Sequence, residues 1–277
     1  MTHISQEFQN KSVLITGGSR GIGKRLAIGF ARLGARLALM ARSKAELDLA
    51  HIEIEQNGGN ALRIRGDVTD PEQMAVAVDR VRVTYGGVPD ILICAAGIAG
   101  PLQAFLQTSI KQWTEPLHVN LLGVVYACRA VLPGMVERRR GKILVVTCDG
   151  GTAPKLNFSS YATAKTAVVR FVEAIAPELV DHNVQINSFD PGPTYTSITD
   201  EVIRAGDRLE NSVVAAAVET RRTGGASAEQ QIKLAEFLAS ETSNHVTGRL
   251  IHVDDDWKKL RNAVLKPDAY TLRRATR

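Results

Sequence analysis

The stretch VLITGGSRGIGKRLAIGFARLG, Val13 to Gly34, decides the fold class. An apolar run suited to a buried strand leads into a glycine turn, and apolar residues at helical spacing follow. Gly17, Gly21 and Gly23 lie in that turn, where glycine lets the backbone bend sharply and approach a ligand. The helix start adds free N–H groups and the positive end of its dipole. The stretch therefore predicts a pyrophosphate site for a dinucleotide, with a plain turn as the weaker alternative.

Six further short apolar runs follow along the chain, namely RLALMA, LRIRGDV, DILICAA, KILVVT, VQINSF and RLIHV. Helical patterns separate most of them, at Ile22–Leu33, Lys44–Gln56, Pro71–Tyr85, Ile110–Arg138 and Ser160–Asp181. Strands that alternate with helices pair in parallel through right-handed crossovers. The pattern predicts an α/β fold of the doubly wound Rossmann type, with a single parallel sheet of about seven strands flanked by helices on both faces.

The 277 residues contain no linker, repeat or low-complexity tract, which favours a single domain over residues 1–277 with its core at 11–256. Two segments do not fit the alternation. Residues 193–227 are rich in Thr, Gly and charge, and we expect them to form a mobile flap over a substrate site. Residues 257–277 form a basic tail that docks either on the body or on a neighbouring subunit.

Composition excludes several classes of partner. The net charge is +5, but 34 basic residues are scattered among 29 acidic ones, which favours a solvated surface over a nucleic-acid interface. Three cysteines without a C-x-x-C pair indicate a reducing, cytoplasmic location. The sequence has no signal-peptide core or apolar run of about 20 residues, so no membrane contact is expected. Six histidines without metal-ligand spacing predict no metal site.

The second apolar run, RLALMA, ends in Ala41 and is followed by Arg42 and Ser43. An NAD(H) site usually has an Asp or Glu there, which binds the ribose 2′-hydroxyl. Here a base replaces the acid, and Arg20 in the glycine turn supplies a second guanidinium that suits a 2′-phosphate. We therefore expect NADP(H) in preference to NAD(H). Two solvated surface arginines are the alternative.

The segment SYATAKTAVVRF places Tyr161 and Lys165 four residues apart on one helix face. A phenol has an ordinary pKa near 10, and a neighbouring ammonium lowers that pKa and makes the group useful in acid–base chemistry. TGGSRGIG at Thr16–Gly23, DV at 67–68, AAG at 95–97, HVNLLG around Asn120, YATAK and DPGPTYT occur in order along the chain. With these motifs the sequence resembles the short-chain dehydrogenase/reductase family, single-domain branch, from about Lys11 to Val253.

The resemblance implies a role for each matching residue. The phosphates would be held by Gly17, Ser19, Arg20, Gly21, Ile22 and Gly23. Arg42 and Ser43 stay cofactor-binding candidates from the residues after the second strand. Asp67 and Val68 would flank the adenine, Ala95, Ala96 and Gly97 the adjoining ribose, and Pro191, Gly192, Thr194 and Thr196 the nicotinamide. Tyr161 would exchange a proton with the substrate oxygen, Lys165 would bind the nicotinamide ribose and tune Tyr161, and Asn120 would hold a water. Asn120 and Asp67 also suit purely structural hydrogen bonds.

The sequence departs from the family at the position of its substrate-holding Ser, where Cys148 stands thirteen residues before Tyr161. Three interpretations stay open: the thiol replaces the hydroxyl, Thr147 takes the role, or ordinary ketones are not turned over. A nucleophilic thiol is a fourth and weaker one. Asp149 either selects a basic or polyhydroxylated substrate or is an exposed loop acid, which we favour.

The sequence thus predicts an NADP(H)-dependent oxidoreductase that transfers a hydride between the nicotinamide and a carbonyl or secondary alcohol of a small or medium organic substrate. The alternative is a dinucleotide-binding protein with little or no turnover, a sensor or assembly subunit, because of Cys148. The resemblance also implies a homodimer or homotetramer.

Overall fold

The computed structural model describes residues 7–148 and 151–273. Its centre is one sheet of seven parallel strands, β1 Ser12–Thr16, β2 Arg36–Ala41, β3 Ala61–Arg65, β4 Ile91–Cys94, β5 Gly141–Val146, β6 Val184–Asp190 and β7 Leu250–His252. Their order across the sheet is β3-β2-β1-β4-β5-β6-β7. The chain thus winds first to one side of β1 and then to the other, which leaves a crevice at the carboxyl ends of β1 and β4. The predicted doubly wound sheet is confirmed.

Helices cover both faces of this sheet: α1 Gly21–Arg32, α2 Lys44–Gln56, α3 Pro71–Tyr85, α4 Ile110–Pro116, α5 Gly123–Glu137, α6 Ser159–Leu179, α7 Ser197–Ala205, α8 Asn211–Thr223 and α9 Ala228–Ala239. On one face, α1, α2 and α9 pack their apolar side chains into a common core with alternate strand residues. On the other face α3, α5 and α6 do the same. β1 is buried along its whole length because both of its faces are covered.

Local sequence sets the ends of α3. The Asp70 carboxylate accepts hydrogen bonds from the backbone N–H groups of Glu72 and Gln73, at 2.9 and 3.1 Å. Pro71 occupies the first helical position, where its missing N–H costs nothing. Gly86 ends the helix at a φ of 82°, in the left-handed region that favours glycine.

The segment predicted as one helix from Ile110 to Arg138 is interrupted by a π-helical stretch, Leu117–Leu122, between α4 and α5. Pro116 precedes the stretch and has no N–H for the regular helical ladder. By length and composition alone, Ile110–Glu137 could cross a membrane, with a window of mean hydropathy 1.6. Its residues Val124 and Val131 are buried in the core, which is consistent with the core helix of a soluble protein.

The segment predicted as a flap, residues 193–227, contains the helices α7 and α8, which its composition did not suggest. Thr194 and Gly225 form an antiparallel bridge that joins the two ends of the segment. Apolar side chains of both helices pack with Tyr161 and Phe158 in a third cluster. Their apolar faces thus point to the crevice and not to the sheet.

A second cavity of about 320 Å³ lies at the amino ends of the strands, where β4 and β5 begin. Lys142, which lines it, is only 8% exposed. Its ammonium donates a hydrogen bond to the Ser243 hydroxyl, at 3.3 Å. The pKa of Lys142 is lowered to about 7, because the effect of burial outweighs the opposing effect of the negative charges of Glu7 and Glu241.

The tail docks on the body, which was one of the two alternatives. The Tyr270 carbonyl accepts the outward-facing N–H of Leu250 in β7, at 2.8 Å. The Arg249 guanidinium donates to the carbonyls of Pro267 and Ala269, at 2.6 and 2.7 Å. Glu173 of α6 accepts the N–H of Leu272 and pairs with Arg273, so both β7 and α6 hold the tail.

Candidate active site

A cavity of about 850 Å³ lies at the carboxyl ends of the strands, in the crevice beside β1 and β4. Most of the site residues predicted from the sequence line it, namely Gly17, Ser19, Arg20, Gly21, Ile22, Arg42, Ser43, Asp67, Val68, Ala95, Ala96, Gly97, Cys148, Tyr161, Lys165, Pro191, Gly192, Thr194 and Thr196. Gly23 and Asn120 do not. The fold therefore brings together motifs that are up to 180 residues apart in the chain.

The glycine turn combines a close backbone approach with a helix start. Gly17 has a φ of 66°, and a Cβ there would lie 2.7 Å from the Cα of Ala96. Gly23 was predicted to hold phosphate but packs inside the turn, where a Cβ would lie 2.3 Å from the Gly17 carbonyl oxygen. Its role is to let α1 start directly behind the turn, so that the free N–H groups of α1 face the cavity.

The corner beside the end of β2 contains Arg42 and Ser43, as predicted, and also a carboxylate that the sequence analysis missed. Glu46 accepts a hydrogen bond from the Ser19 hydroxyl at 3.0 Å and one from the Arg20 guanidinium at 3.1 Å. Ser43 caps α2 by accepting the N–H of Glu46 at 3.2 Å. The pattern Ser-x-x-Glu at residues 43–46 is typical of a helix start. It predicts a capping role for Glu46 but no contact with the glycine turn.

Asp67 and Val68 lie at the edge of the cavity beyond β3. The Asp67 carboxylate accepts from the N–H and the hydroxyl of Thr69, at 3.0 and 2.9 Å. Asp67 therefore stabilises its own turn, as the alternative of purely structural hydrogen bonds expected. It also lines the part of the cavity that is predicted to hold the adenine. Val68 packs against Gly123, where a Cβ would come within 2.8 Å of it.

Tyr161 and Lys165 of α6 line the cavity close to Val146, the last residue of β5. The Lys165 ammonium lies 5.9 Å from the centre of the Tyr161 ring and donates to the Val146 carbonyl at 2.9 Å. Lys165 is 6% exposed. Burial lowers its pKa, and the neighbouring Cys148 and Asp190 side chains act in the opposite direction. A cation is thus held beside the phenol with little screening by water.

Asn120 lies behind the cavity wall in the π-helical stretch and is 1% exposed. Its amide accepts the N–H of Ile98 and donates to the carbonyl of Ile98, both at 2.9 Å. A Cβ built on Gly97 would lie 3.4 Å from the Asn120 oxygen and 3.9 Å from the Lys165 nitrogen. Asn120 therefore makes structural bonds, but to the loop after β4 and not within its own helix as the alternative had it. Both Asn120 and Lys165 lie beside Gly97.

Cys148 is half-buried and lines the cavity. The preceding residue, Thr147, is 2% exposed, and its hydroxyl oxygen is fully buried and lacks a hydrogen-bond partner within the described residues. The nearby hydroxyls of Ser159 and Ser160 both bond to Trp113. Both predicted candidates, Cys148 and Thr147, line the cavity, and they differ in that the Thr147 hydroxyl oxygen is fully buried. Asp149 lies outside the described residues.

The loop after β6 lies at the end of the cavity that is predicted to hold the nicotinamide. Asp190, which the sequence analysis did not single out, is 4% exposed and accepts the N–H of Gly192 at 2.9 Å. His252 lies 3.8 Å from the same oxygen. From α9, the amide of Gln231 donates to Pro191 at 2.6 Å and to Thr194 at 2.7 Å, which fixes the loop.

Beyond Tyr161 the cavity is walled by apolar side chains. Phe158, Ile198, Val202, Val213 and Ala217 line it and belong to the third apolar cluster. Polar side chains in this part include Ser212 and Thr220 of α8. Within the described residues no group of His, Cys, Asp or Glu suits a metal ion. The arrangement can bind an organic molecule beside a phenol that is paired with a cation.

Comparison with known proteins gives consistent matches. The short chain dehydrogenase family profile matches residues 11–206. The chain is 29% identical over 247 residues to the 3-oxoacyl-[acyl-carrier-protein] reductase FabG of Escherichia coli K12, covering 89% of this chain and 97% of that one. It is 32% identical over 243 residues to gluconate 5-dehydrogenase of Gluconobacter oxydans, covering 87% and 92%. A crystal structure of a short-chain type dehydrogenase/reductase from Mycobacterium marinum superposes with a TM-score of 0.78 at 32% identity, covering 90% and 95%.

Proposed function

Because the chain belongs to the short-chain dehydrogenase family, we propose that it is an NADP(H)-dependent oxidoreductase acting between a carbonyl and a secondary alcohol. Membership itself establishes nicotinamide-dependent chemistry on CH–OH or C=O groups. The finer proposal rests chiefly on one observation: Tyr161 reaches the cavity with the buried Lys165 ammonium 5.9 Å from its ring. We also propose a cytoplasmic homodimer or homotetramer.

A bound nicotinamide supplies or accepts the hydride, and the chain's own residues manage the proton. In reduction, Tyr161 gives its phenolic proton to the substrate oxygen, and in oxidation it takes that proton back. Lys165 stabilises the phenolate because its charge is buried beside the ring. The Cys148 thiol donates to the substrate oxygen, because the Thr147 hydroxyl oxygen is fully buried even though Thr147 also lines the cavity.

The preference for NADP(H) over NAD(H) is supported by the two guanidiniums at the adenosine corner. Arg20 and Arg42 both line the cavity there. The end of β2 carries no acid that would bind a free 2′-hydroxyl. Arg42→Asp should therefore weaken NADPH far more than NADH, and an unchanged ratio of the two dissociation constants would contradict the assignment.

The apolar wall beyond Tyr161 favours a carbonyl compound with a medium-sized apolar body. A polyhydroxylated chain placed there would lose hydrogen bonds to water, and each uncompensated hydroxyl costs about 1–3 kcal/mol. We therefore expect cyclic and branched ketones to be reduced with a higher kcat/KM than 5-ketogluconate. The opposite order would rule out the apolar substrate class while leaving the oxidoreductase proposal intact.

The decisive experiment compares Tyr161→Phe with Tyr195→Phe. Tyr195 bonds to Asp200 near the surface and does not line the cavity. NADPH oxidation against a ketone panel should fall at least about 10²-fold in Tyr161→Phe, because the acid is lost, and stay at wild-type level in Tyr195→Phe. NADPH binding, measured by fluorescence, should persist in both. Full turnover in Tyr161→Phe would refute the mechanism.

The alternative, a binding protein with little turnover, depends on Cys148. The named relatives are reductases and dehydrogenases and give it no support. Cys148→Ser decides between the two: turnover in both proteins supports the enzyme with a working thiol. Turnover only in Cys148→Ser would indicate a site that has lost activity, and binding without turnover in either would favour the binding protein.

A further inference from the structure

The adenosine corner of the cavity already contains an anion that belongs to the chain. The Glu46 carboxylate binds the Ser19 hydroxyl with one oxygen, at 3.0 Å, and the Arg20 guanidinium with the other, at 3.1 Å. A hydroxyl and a guanidinium that converge on one anion are the donors that a 2′-phosphate needs. Within the proposed function, we infer that Glu46 is a specificity-determining residue that competes with the 2′-phosphate of NADPH for these donors.

The position of Glu46 makes this arrangement informative. Glu46 is the third residue of α2 and follows the cap Ser43, where a Glu side chain ordinarily turns back to the N–H of the cap residue. Here the cap hydroxyl accepts the N–H of Glu46, but the carboxylate extends across to the glycine turn instead. The carboxylate thus makes its hydrogen bonds in the cavity and not in the helix cap.

The charge of Arg20 acts on a second acid besides Glu46, with which it forms an ion pair. Burial raises the pKa of Glu201 of α7, and the charges of Arg204 and Arg20 lower it. Arg42, in contrast, forms no hydrogen bond or ion pair within residues 7–148 and 151–273 and can meet a phosphate at once. The Arg20–Glu46 pair is half-exposed, with side-chain exposures of 53% and 38%, so a ligand can separate it.

The two nucleotides respond to Glu46 in opposite ways. A free 2′-hydroxyl in NADH can donate to the carboxylate, as it does to the acid of other dinucleotide sites. A 2′-phosphate is repelled by the carboxylate and has to take Ser19 and Arg20 from it. Glu46 therefore narrows the preference for NADPH that Arg20 and Arg42 create.

Equilibrium binding of NADPH and of NADH to Glu46→Gln tests the inference. The amide has nearly the same shape and leaves the Ser43 cap in place. We expect the Kd for NADPH to fall about 5- to 30-fold, because the amide is neutral and binds one charged and one neutral donor less strongly than the carboxylate does, with an unchanged or higher Kd for NADH. An unchanged ratio of the two Kd values, or weaker NADPH binding, would overturn the inference and make Glu46 a residue that merely positions Arg20.

The matched control is Glu53→Gln. Glu53 also joins α2 to α1, through Lys24 at 2.6 Å, but it does not line the cavity. Its Kd ratio should equal that of the wild type, and equal ratio changes in both variants would trace the effect to helix packing. If the wild-type protein binds neither nucleotide, the proposed function fails. If it binds both and Glu46→Gln leaves the ratio unchanged, only the inference about Glu46 fails.

Discussion

Replacement of Lys142 by Met should stabilise the protein near neutral pH and remove a pH dependence of its stability. Lys142 lies at the amino end of β5, away from the active site, and is 8% exposed. Burial lowers its pKa to about 7 from the ordinary 10.5. Between these two values the unfolded chain binds the proton more tightly than the folded chain does. The free energy of unfolding therefore rises with pH across this window.

The magnitude follows from the two pKa values. Their difference corresponds to about 5 kcal/mol of destabilisation at low pH, where both states are protonated. Between about pH 7 and about pH 9, roughly 2 kcal/mol of that cost is relieved. Met fills the space of the stem without a charge. Ser243 keeps partners in the variant, because its hydroxyl also bonds to the Leu238 and Ser240 carbonyls at 3.0 Å.

Urea unfolding of both proteins at about pH 7, 8 and 9 measures the effect. The difference in free energy between wild type and Lys142→Met isolates Lys142, since every other titrating group is common to both proteins. We expect Lys142→Met to be the more stable protein at pH 7 and the gap to shrink by about 2 kcal/mol at pH 9. A gap that stays constant within about 0.5 kcal/mol would mean that Lys142 keeps an ordinary pKa in the fold.

Three further substitutions test the site and the tail. Gly17→Ala should abolish NADPH binding, because its methyl group would stand 2.7 Å from the backbone of Ala96; retained binding in a titration would contradict this close approach. Asn120→Ala should destabilise by about 1–3 kcal/mol in thermal melts, because both backbone groups of Ile98 lose their partner, and a wild-type melting temperature would refute it. Glu173→Ala should loosen the tail after Tyr270, because the contacts to Leu272 and Arg273 are lost, and should speed limited proteolysis there without changing turnover; equal cleavage rates would argue against that anchor.

The sequence predicts the sheet and most of the cavity because their signals are local. The glycine turn lies directly between β1 and α1, and Tyr161 and Lys165 share one helix face. Several weak motifs in the order of one family then add up to a specific prediction. The positions of Arg42 and Cys148 in the cavity follow from the same order.

What the sequence did not predict depends on long-range contacts. Glu46 matches a local capping pattern, but its carboxylate binds the glycine turn 26 residues away. Lys142 is the second residue of β5, a strand that is otherwise mostly apolar. Its ammonium donates to Ser243, which lies 101 residues further along the chain. The helices α7 and α8 lie in a segment rich in Thr, Gly and charge, which suggested a loop. The helix α7 is nevertheless amphipathic, while α8 buries only Ala217 among its described residues, so its apolar pattern is weak.

The tail has a consequence for the behaviour of the protein in solution. β7 is the last strand of the sheet, and a bare last strand offers its free backbone groups to any other chain. The bond from Leu250 to Tyr270 occupies one of these groups, and the Arg249 contacts hold the covering segment in place. A protein shortened before Lys266 would keep every described residue of its cavity. Its sheet would nevertheless end in an open template for aggregation, so resistance to aggregation and catalytic chemistry reside in different segments of one chain.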